Sequence, residues 1–285
     1  MNRSLYHLDS IAHLLSARLW PKASKYADDS ECAQILKAIP EFNFDFQLFE
    51  RPNRKQNLCL IKQSSYSLDL YRSVILSGLD PVFQYEFGDV RCVPSQPTFV
   101  KSRPIIEGNR YACLLPLNSF RHFQFFSDAI PFEKKENKVI WRGAAYQPWR
   151  RSFLEAASRL SCCDVADTDS RHSMEKKRAS FISPREQMRS KFLFSIEGND
   201  VASNLKWALA SQSVVMMPSP RYETWFLESR LIPGQHFIPI SDDFSDIEEQ
   251  FEYYVGRPKL CLEIIEQANR YVQPYMDRWA QFVLA

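Results

Sequence analysis

The stretch Lys191-Phe-Leu-Phe-Ser-Ile-Glu-Gly-Asn-Asp-Val-Ala-Ser-Asn-Leu-Lys206 is the most informative part of this sequence. Its apolar run at 192–196 is bounded by polar residues, which is typical of a short buried strand. The Gly-Asn-Asp sequence at 198–200 favours a sharp turn, and a helix is predicted from Ala202 onward. A strand, a tight turn and a helix N-terminus present backbone N–H groups and a positive dipole end, which suits an anion. An ordinary strand–helix turn is the alternative.

Strands and helices are predicted to alternate on both sides of this stretch, from residue 138 onward. Strands are predicted at 139–141, 164–166, 192–196, 214–217 and 237–240, and helices at 149–160, 184–189, 202–211, 224–230 and 244–255. This alternation is typical of a parallel sheet covered by helices on both faces. Ligands bind such sheets at the carboxyl ends of the strands.

The remaining segments suggest a division of the chain. Helices are predicted at 3–20, 29–39 and 259–284, the last interrupted at Pro274, and strands near 42–48, 57–62, 81–87 and 112–117. The charged run at 133–138 places a domain boundary near residue 135. We therefore predict domains at 1–135 and 136–258, followed by a C-terminal helix at 259–285.

The composition restricts the class of protein. With 285 residues, 45% of them hydrophobic and 25% charged, the chain is expected to be globular, and its net charge of +2 implies no general attraction to nucleic acid. The seven cysteines are odd in number and lack CxxC spacing, which favours a reducing cytosol over a disulfide framework or a zinc site. No long apolar segment or export signal is recognised. The helix at 3–20, with Arg18, Lys22 and Lys25 nearby, is expected to pack in the core or to touch an anionic bilayer.

Several polar residues of the second half fall at predicted strand ends. Arg142 and Gly143 close one strand, and Arg150 lies near the start of the next helix. An arginine beside a glycine suits bidentate contact with phosphate, although a surface ion pair is the alternative. Lys206 would add a point charge. Glu223 could accept the two hydroxyls of a ribose or could cap a helix.

Acidic and basic residues also cluster in the first half. Asp89 follows a predicted strand and Gly88, and further charged or titratable side chains follow within about 35 residues. These are Lys101, Arg103, Arg121 and His122. Together they suggest one face of a cleft, whereas singly each is typical of a solvated loop. His122 is either a base or a hydrogen-bonded structural residue.

One competing motif is Asp167-Thr-Asp169, the D-x-D pattern by which many sugar transferases hold a divalent metal on a diphosphate. The same three residues are also typical of a turn after a strand. A hard-cation site would need two further acidic residues from elsewhere in the chain.

Taken together, these residues resemble glycosyltransferase family 90, the CAP10-like or lipopolysaccharide A group that includes protein O-glucosyltransferases. The resemblance covers about residues 80–255. It rests on the motifs F-G-D, P-T-F-V-K-S-R-P, R-H-F, W-R-G, K-F-L-F-S-I-E-G-N-D, Y-E-T-W-F and H-F-I-P-I-S-D-D-F-S-D, in that order. Residues 1–75 contribute little to it.

The resemblance implies an α/β protein of GT-B type, with two Rossmann-like halves and a cleft between them. The first domain would lie on the acceptor side, the second would bind the nucleotide sugar, and the C-terminal helix would pack back towards the first. The implied chemistry is inverting transfer of a hexose from a UDP-sugar, with no metal or other cofactor.

The resemblance also assigns residues. Asp89 falls where the family keeps its catalytic aspartate, and Arg142 and residues 200–206 fall where it binds the diphosphate. The full set of nucleotide-sugar candidates is Arg142, Gly143, Arg150, Gly198, Asn199, Asp200, Ser203, Asn204, Lys206 and Glu223, and the acceptor-side candidates are Lys101, Arg103, Arg121 and His122. The sequence at 204–206 departs from the Arg-containing pattern of eukaryotic members, so which of Ser203, Asn204 and Lys206 contacts phosphate stays open.

Eukaryotic members also carry a secretory signal and a retention tail, which are not recognised here. We therefore expect a bacterial enzyme in the cytoplasm, with peripheral contact to the inner membrane. Its expected partners are a UDP-sugar and a glycan or lipid-linked glycan acceptor of the lipopolysaccharide type, and not nucleic acid. A non-catalytic glycan- or nucleotide-binding relative and a metal-dependent D-x-D transferase are the alternatives.

Overall fold

The computed structural model describes residues 65–77, 84–169 and 181–276. The helices and strands predicted at 3–20, 29–39, 42–48 and 57–62 lie outside these ranges. The described helices are α1 (Ser65–Ser77), α2 (Ser119–His122), α3 (Pro148–Ala157), α4 (Pro184–Gln187), α5 (Leu205–Leu209), α6 (Ile247–Val255) and α7 (Pro258–Met276). The strands are β1 (Gln84–Glu86), β2 (Thr98–Val100), β3 (Ser102–Pro104), β4 (Ala112–Leu114), β5 (Glu136–Gly143), β6 (Cys163–Asp167), β7 (Ser190–Phe194), β8 (Val214–Met217), β9 (Tyr222–Thr224) and β10 (Ile238–Pro239).

Residue contacts divide the chain into two compact units. The described part of the first unit comprises residues up to Phe123 together with Glu223–Phe226 and 274–276. The second unit comprises Gln124–Tyr222 and Leu227–Gln273. The three domains inferred from the sequence, with boundaries near 135 and 258, stay a prediction.

The second unit contains a five-stranded sheet in the order β10-β8-β7-β5-β6. All neighbouring strands in it are parallel, which agrees with the alternation of strands and helices in the sequence. Numbered along the chain, its strands lie in the order 2-1-3-4-5, the doubly wound arrangement in which the strand order across the sheet reverses beside the first strand. The mixed α/β architecture with parallel sheets is thus consistent with a Rossmann-like fold, and the switch point lies between β5 and β7.

Aromatic side chains fill the core of this unit. Strands β7 and β8 are apolar and buried nearly throughout, as expected for central strands of a covered sheet. The Phe153 ring of α3 meets Trp141 of β5, Phe194 of β7 and the Phe244 ring edge to face, with centroid distances between 4.9 and 5.4 Å. Such pairs add roughly 0.5–1.5 kcal/mol each to the burial of their area. This cluster fixes α3 against the sheet, and with it the loop that follows β5.

The charged run at 133–138 is folded into the second unit. Lys135 is buried, and its ammonium group donates to Asp128 Oδ2 at 2.7 Å and to the backbone carbonyl of Met188. The backbone N–H of Gln212 also donates to Asp128 Oδ2. Burial lowers the pKa of Lys135, and the Asp128 carboxylate opposes that shift.

The first unit contains a smaller parallel sheet in the order β1-β2-β4, and a two-stranded sheet that pairs β3 with β9. Helix α1 is joined to α2 by the buried Asp69, which accepts hydrogen bonds from the backbone N–H and the hydroxyl of Ser119. A carboxylate at the N-terminus of α2 satisfies a backbone donor that the helix itself cannot. Leu70, Leu115 and Leu117 pack beside it.

One helix prediction was wrong, and another helix is shorter than predicted. Residues 224–230 do not form a helix, because β9 pairs with β3 and is followed by a turn and a 3-10 helix at Glu228–Arg230. The helix predicted at 202–211 is the shorter α5, which begins after Asn204, and the Asn204 side chain donates to the Phe194 carbonyl instead of capping the helix. In the first case a tertiary partner overrides a weak local propensity. Among the described residues, no helix combines the length and apolar character needed to cross a bilayer.

Candidate active site

The loops that follow β5, β7 and β8 lie side by side at the carboxyl edge of the five-stranded sheet. Hydrogen bonds join the first two loops, since Asn199 Nδ2 donates to the Tyr146 hydroxyl at 3.2 Å and Gln147 Nε2 approaches Asn199 Oδ1 at 3.4 Å. Arg221, after β8, is joined to Glu197, after β7. The junction lies beside the β5/β7 switch point, where sheets of this topology bind ligands.

Arg142, near the end of β5, is bound to neighbouring strands. Its Nη1 donates to the backbone carbonyls of Trp141 and Asp164, and its Nη2 donates to Asp164 Oδ1 at 2.6 Å. Its Nε is buried and has no hydrogen-bond partner among the described residues. The structure therefore contains an ion pair, but not the surface pair given as the alternative, because the Arg142 side chain is only 8% exposed. Phosphate contact by Arg142 stays a prediction.

Arg150, in the first turn of α3, cross-links two of the loops. Its guanidinium donates to the carbonyl oxygens of Ala144 and Ile196, and more weakly to that of Glu197. Burial lowers the pKa of Arg150, while the nearby Asp200 carboxylate favours its charged form. Because these carbonyls occupy its donors, Arg150 first of all fixes the shape of the loops after β5 and β7.

The two glycines of the predicted site lie where the backbone is crowded. A Cβ on Gly143 would lie 2.6 Å from the indole ring of Trp141. A Cβ on Gly198 would lie 3.0 Å from Gln147 Nε2 and 3.3 Å from the Arg150 guanidinium carbon. Close packing of side chains against these loops accounts for glycine at both positions.

The other candidates of the 198–206 segment differ in exposure. Asp200 is buried, Asn199 is half-buried and Ser203 is exposed. Asn204 is tied inward through the Phe194 carbonyl and the Ser195 hydroxyl. Helix α5 spans only five residues, so the dipole expected at this point is small.

Lys206 is buried beside an acidic partner. Its ammonium group lies 2.9 Å from Glu228 Oε1, and each side chain is only 1% exposed. Removing one member of such a pair leaves an uncompensated buried charge. Lys206 is therefore placed as a structural ion-pair partner, and its predicted contact with phosphate stays untested.

Three residues that the sequence reading missed meet at the same edge: Glu197, Arg221 and Trp149. Glu197 accepts hydrogen bonds from Arg221 Nε and from the backbone N–H groups of Arg221 and Tyr222. The Arg221 guanidinium stacks on the Trp149 ring, 3.9 Å from its centroid. Burial raises the pKa of Glu197 although Arg221 opposes the shift. A buried carboxylate with a perturbed pKa and a specific charged partner is a feature of functional sites, although structural ion-pair networks show it too.

An open pocket adjoins this cluster. It encloses about 330 Å³ of empty space, a figure that includes the solvent at its mouth. Its lining includes Trp149, Ser195, Glu197, Ala202, Met217 and Pro218. The wall is thus mostly apolar with a few polar groups, the kind of lining that small-molecule sites have.

In the first unit, Asp89 lies just beyond β1. Gly88 precedes it with φ of 108°, a backbone conformation that favours glycine and turns the chain at this point. The Lys101 ammonium, 2% exposed, lies 2.6 Å from Asp89 Oδ1, and the Asp89 side chain is 38% exposed. The structure thus gives the predicted catalytic carboxylate a fixed and partly solvated position.

The other predicted residues of the first unit fall in different environments. Arg103 contacts Glu223 Oε1 through Nε and Nη2, both at 2.8 Å. Glu223, predicted on the nucleotide side, is thus grouped with an acceptor-side candidate in the first unit. Arg121 is exposed, whereas His122 is buried in α2.

Asp167 of the D-x-D motif binds its own loop. Its Oδ1 accepts the backbone N–H groups of Ala145 and Asp169. Within residues 65–77, 84–169 and 181–276, no group of three or more His, Cys, Asp or Glu side chains lies close enough to hold a metal. Metal-independent chemistry stays a prediction.

The structural role of Lys206 is testable by stability. We expect Lys206→Met to lower the free energy of unfolding by about 3–5 kcal/mol, because Glu228 would be left buried without its cation. Adding Glu228→Gln should restore much of the loss. Lys138→Met, at a lysine 51% exposed, should change stability by less than about 0.5 kcal/mol.

Denaturant unfolding of the unchanged protein and the three variants measures these effects. If Lys206→Met kept full stability but lost affinity for nucleotide diphosphate, Lys206 would be a phosphate ligand instead.

Comparison with known proteins bears on the activity of this site. The family model described as Glycosyl transferase family 90 matches residues 119–281. The O-glucosyltransferase LpsA of Dichelobacter nodosus is 38% identical over 259 residues, which are 88% of this chain and 81% of that protein.

Animal relatives match over shorter ranges. Protein O-glucosyltransferase 2 of Danio rerio is 28% identical over 131 residues, 43% of this chain and 25% of its own length. Protein O-glucosyltransferase 1 of Rattus norvegicus is 22% identical over 149 residues, 50% of this chain and 38% of its own. The resemblance predicted from the sequence motifs is confirmed: the chain is a glycosyltransferase and belongs to glycosyl transferase family 90.

Proposed function

We propose that this protein transfers a hexose from a UDP-sugar to a glycan acceptor of the lipopolysaccharide core or a similar surface glycan. The transfer would invert the anomeric centre and would need no metal. Family membership and the 38% identity to a bacterial O-glucosyltransferase support transfer of a glucose-like sugar. The two halves would adopt the GT-B arrangement, and the enzyme would act in the cytoplasm, at the inner membrane where its acceptor is made.

The observation that carries the proposal is the composition of the carboxyl edge at the β5/β7 switch point. Two crowded glycine loops, a stacked arginine and a pocket with apolar walls lie at one place in the second unit. These features suit a nucleoside diphosphate, because a guanidinium matches phosphate oxygens and apolar walls can pack against a base. The UDP-sugar would therefore bind here.

The reaction would be a single displacement. The acceptor hydroxyl oxygen would attack the anomeric carbon while the bond from that carbon to the diphosphate oxygen breaks, and its electron pair leaves with UDP. Asp89 would accept the hydroxyl proton. Its place after a glycine turn and its contact with buried Lys101 hold the carboxylate in one position, as a general base requires.

A non-catalytic glycan- or nucleotide-binding relative is the alternative function. Such a protein would bind UDP-sugars without releasing UDP. Slow hydrolysis of a panel of UDP-sugars separates the two functions, because a transferase without its acceptor passes the sugar to water.

We expect Asp89→Asn to lower sugar transfer by about 10²–10⁴-fold, the usual loss when a general base is removed. The amide keeps the shape of the side chain but cannot take the proton. UDP affinity, measured by calorimetry, should change little. Glu107→Gln is the control, since it replaces a carboxylate by an amide at an exposed residue of the same unit.

Near-normal transfer by Asp89→Asn would contradict this mechanism and would direct attention to Glu86 and His122 as bases. Loss of UDP binding together with the fold would instead make Asp89 structural.

A second prediction concerns metal. We expect UDP to bind, and the sugar to be transferred, in the presence of EDTA. Asp167→Asn is the sharpest test of the D-x-D alternative, because its carbonyl oxygen still accepts the two loop N–H groups while its charge is lost. Sugar transfer that strictly requires Mn²⁺ or Mg²⁺, and that is lost in this variant, would contradict the proposal.

A further inference from the structure

The cations that the sequence suggested for the diphosphate are already engaged within the protein. Lys206 is paired with Glu228 below the surface. Arg150 donates to loop carbonyls, and the terminal nitrogens of Arg142 are held by Asp164 and by backbone oxygens. Reaching a ligand would require each to give up internal partners, which is costly for a buried charge.

Arg221 differs from these three side chains. Its side chain is 44% exposed. Within the described residues this side chain makes one hydrogen bond, in which Nε donates to Glu197 Oε2 at 3.0 Å. Both terminal nitrogens of its guanidinium therefore stay available for a ligand. A guanidinium fork with two parallel donors matches the geometry of a phosphate.

Arg221 is also held in place before any ligand arrives. The Trp149 ring covers one face of the guanidinium, and Glu197 binds both Nε and the Arg221 backbone N–H. Pro218 and Pro220 stiffen the segment that leads to it from β8. A side chain fixed in this way loses little rotamer freedom on binding, so more of its interaction energy appears as affinity.

Arg221 lies beside the pocket. Its two side-chain partners, Trp149 and Glu197, line the pocket, as does its neighbour Pro220. We propose that Arg221 binds the diphosphate of the donor nucleotide at the mouth of this pocket, while the nucleoside occupies the pocket itself. This assignment rests on the proposed function, and it names a residue that the sequence motifs did not.

The test compares binding of UDP and of uridine by calorimetry. We expect Arg221→Met to weaken UDP binding by about 10- to 100-fold, the loss of charge-assisted hydrogen bonds, and to leave uridine binding within about twofold. Arg221→Lys should fall between the two, because it keeps the charge but not the fork. Arg159→Met, at an arginine 72% exposed and paired with Glu155, is the control and should bind as the unchanged protein does.

Each contrary result has a distinct meaning. If the unchanged protein binds no UDP, the proposed function fails and the Arg221 assignment falls with it. If it binds UDP and Arg221→Met binds equally well, only the assignment fails. If Arg221→Met loses UDP and uridine alike, with a lower unfolding midpoint, Arg221 holds the pocket together and does not bind the phosphate.

Discussion

The contact of Arg150 with the carbonyl oxygens of two loops is the interaction on which the candidate site depends. Parallel strands β5 and β7 end beside each other, but the loops that follow them have no sheet hydrogen bonds to hold them. Arg150 of α3 donates hydrogen bonds to carbonyl oxygens of both loops. The aromatic core in turn fixes α3 through Phe153. The geometry of the site thus follows from core packing by way of one buried guanidinium.

This arrangement separates two uses of positive charge. Buried cations such as Arg150 and Lys206 shape the loops and satisfy oxygen atoms of the protein. The exposed guanidinium of Arg221 is stacked, oriented and able to bind something else. Because a buried charge without a partner is costly and an exposed one is not, burial decides which cation is structural and which is available to a substrate.

The sequence predicted the regular parts of the fold well. Strand β8 was predicted at 214–217 and found there, since a short apolar run rich in valine between polar residues is typical of a buried strand. The sequence also predicted that polar residues after the buried strands lie at one edge of a parallel sheet, and the loops after β5, β7 and β8 do meet there. The family was predicted from ordered motifs and confirmed by the comparisons.

What the sequence did not predict depends on partners distant in the chain. The Arg221 guanidinium stacks on a tryptophan 72 positions earlier, and no local pattern signals such a pair. The helix expected at 224–230 is absent because β9 finds a strand partner in β3. The pairing of Lys206 with Glu228 likewise follows from tertiary packing. It gives a structural role to a lysine that the sequence suggested as a phosphate ligand.

The central claim is that the donor nucleotide binds at the carboxyl edge of β5, β7 and β8. Amide hydrogen exchange of the whole chain with and without saturating UDP tests it most directly, because bound ligand slows exchange in the loops that it covers. We expect slower exchange in residues 144–150, 195–203 and 218–222. Unchanged exchange in all three loops, with protection confined to the first unit, would contradict the account.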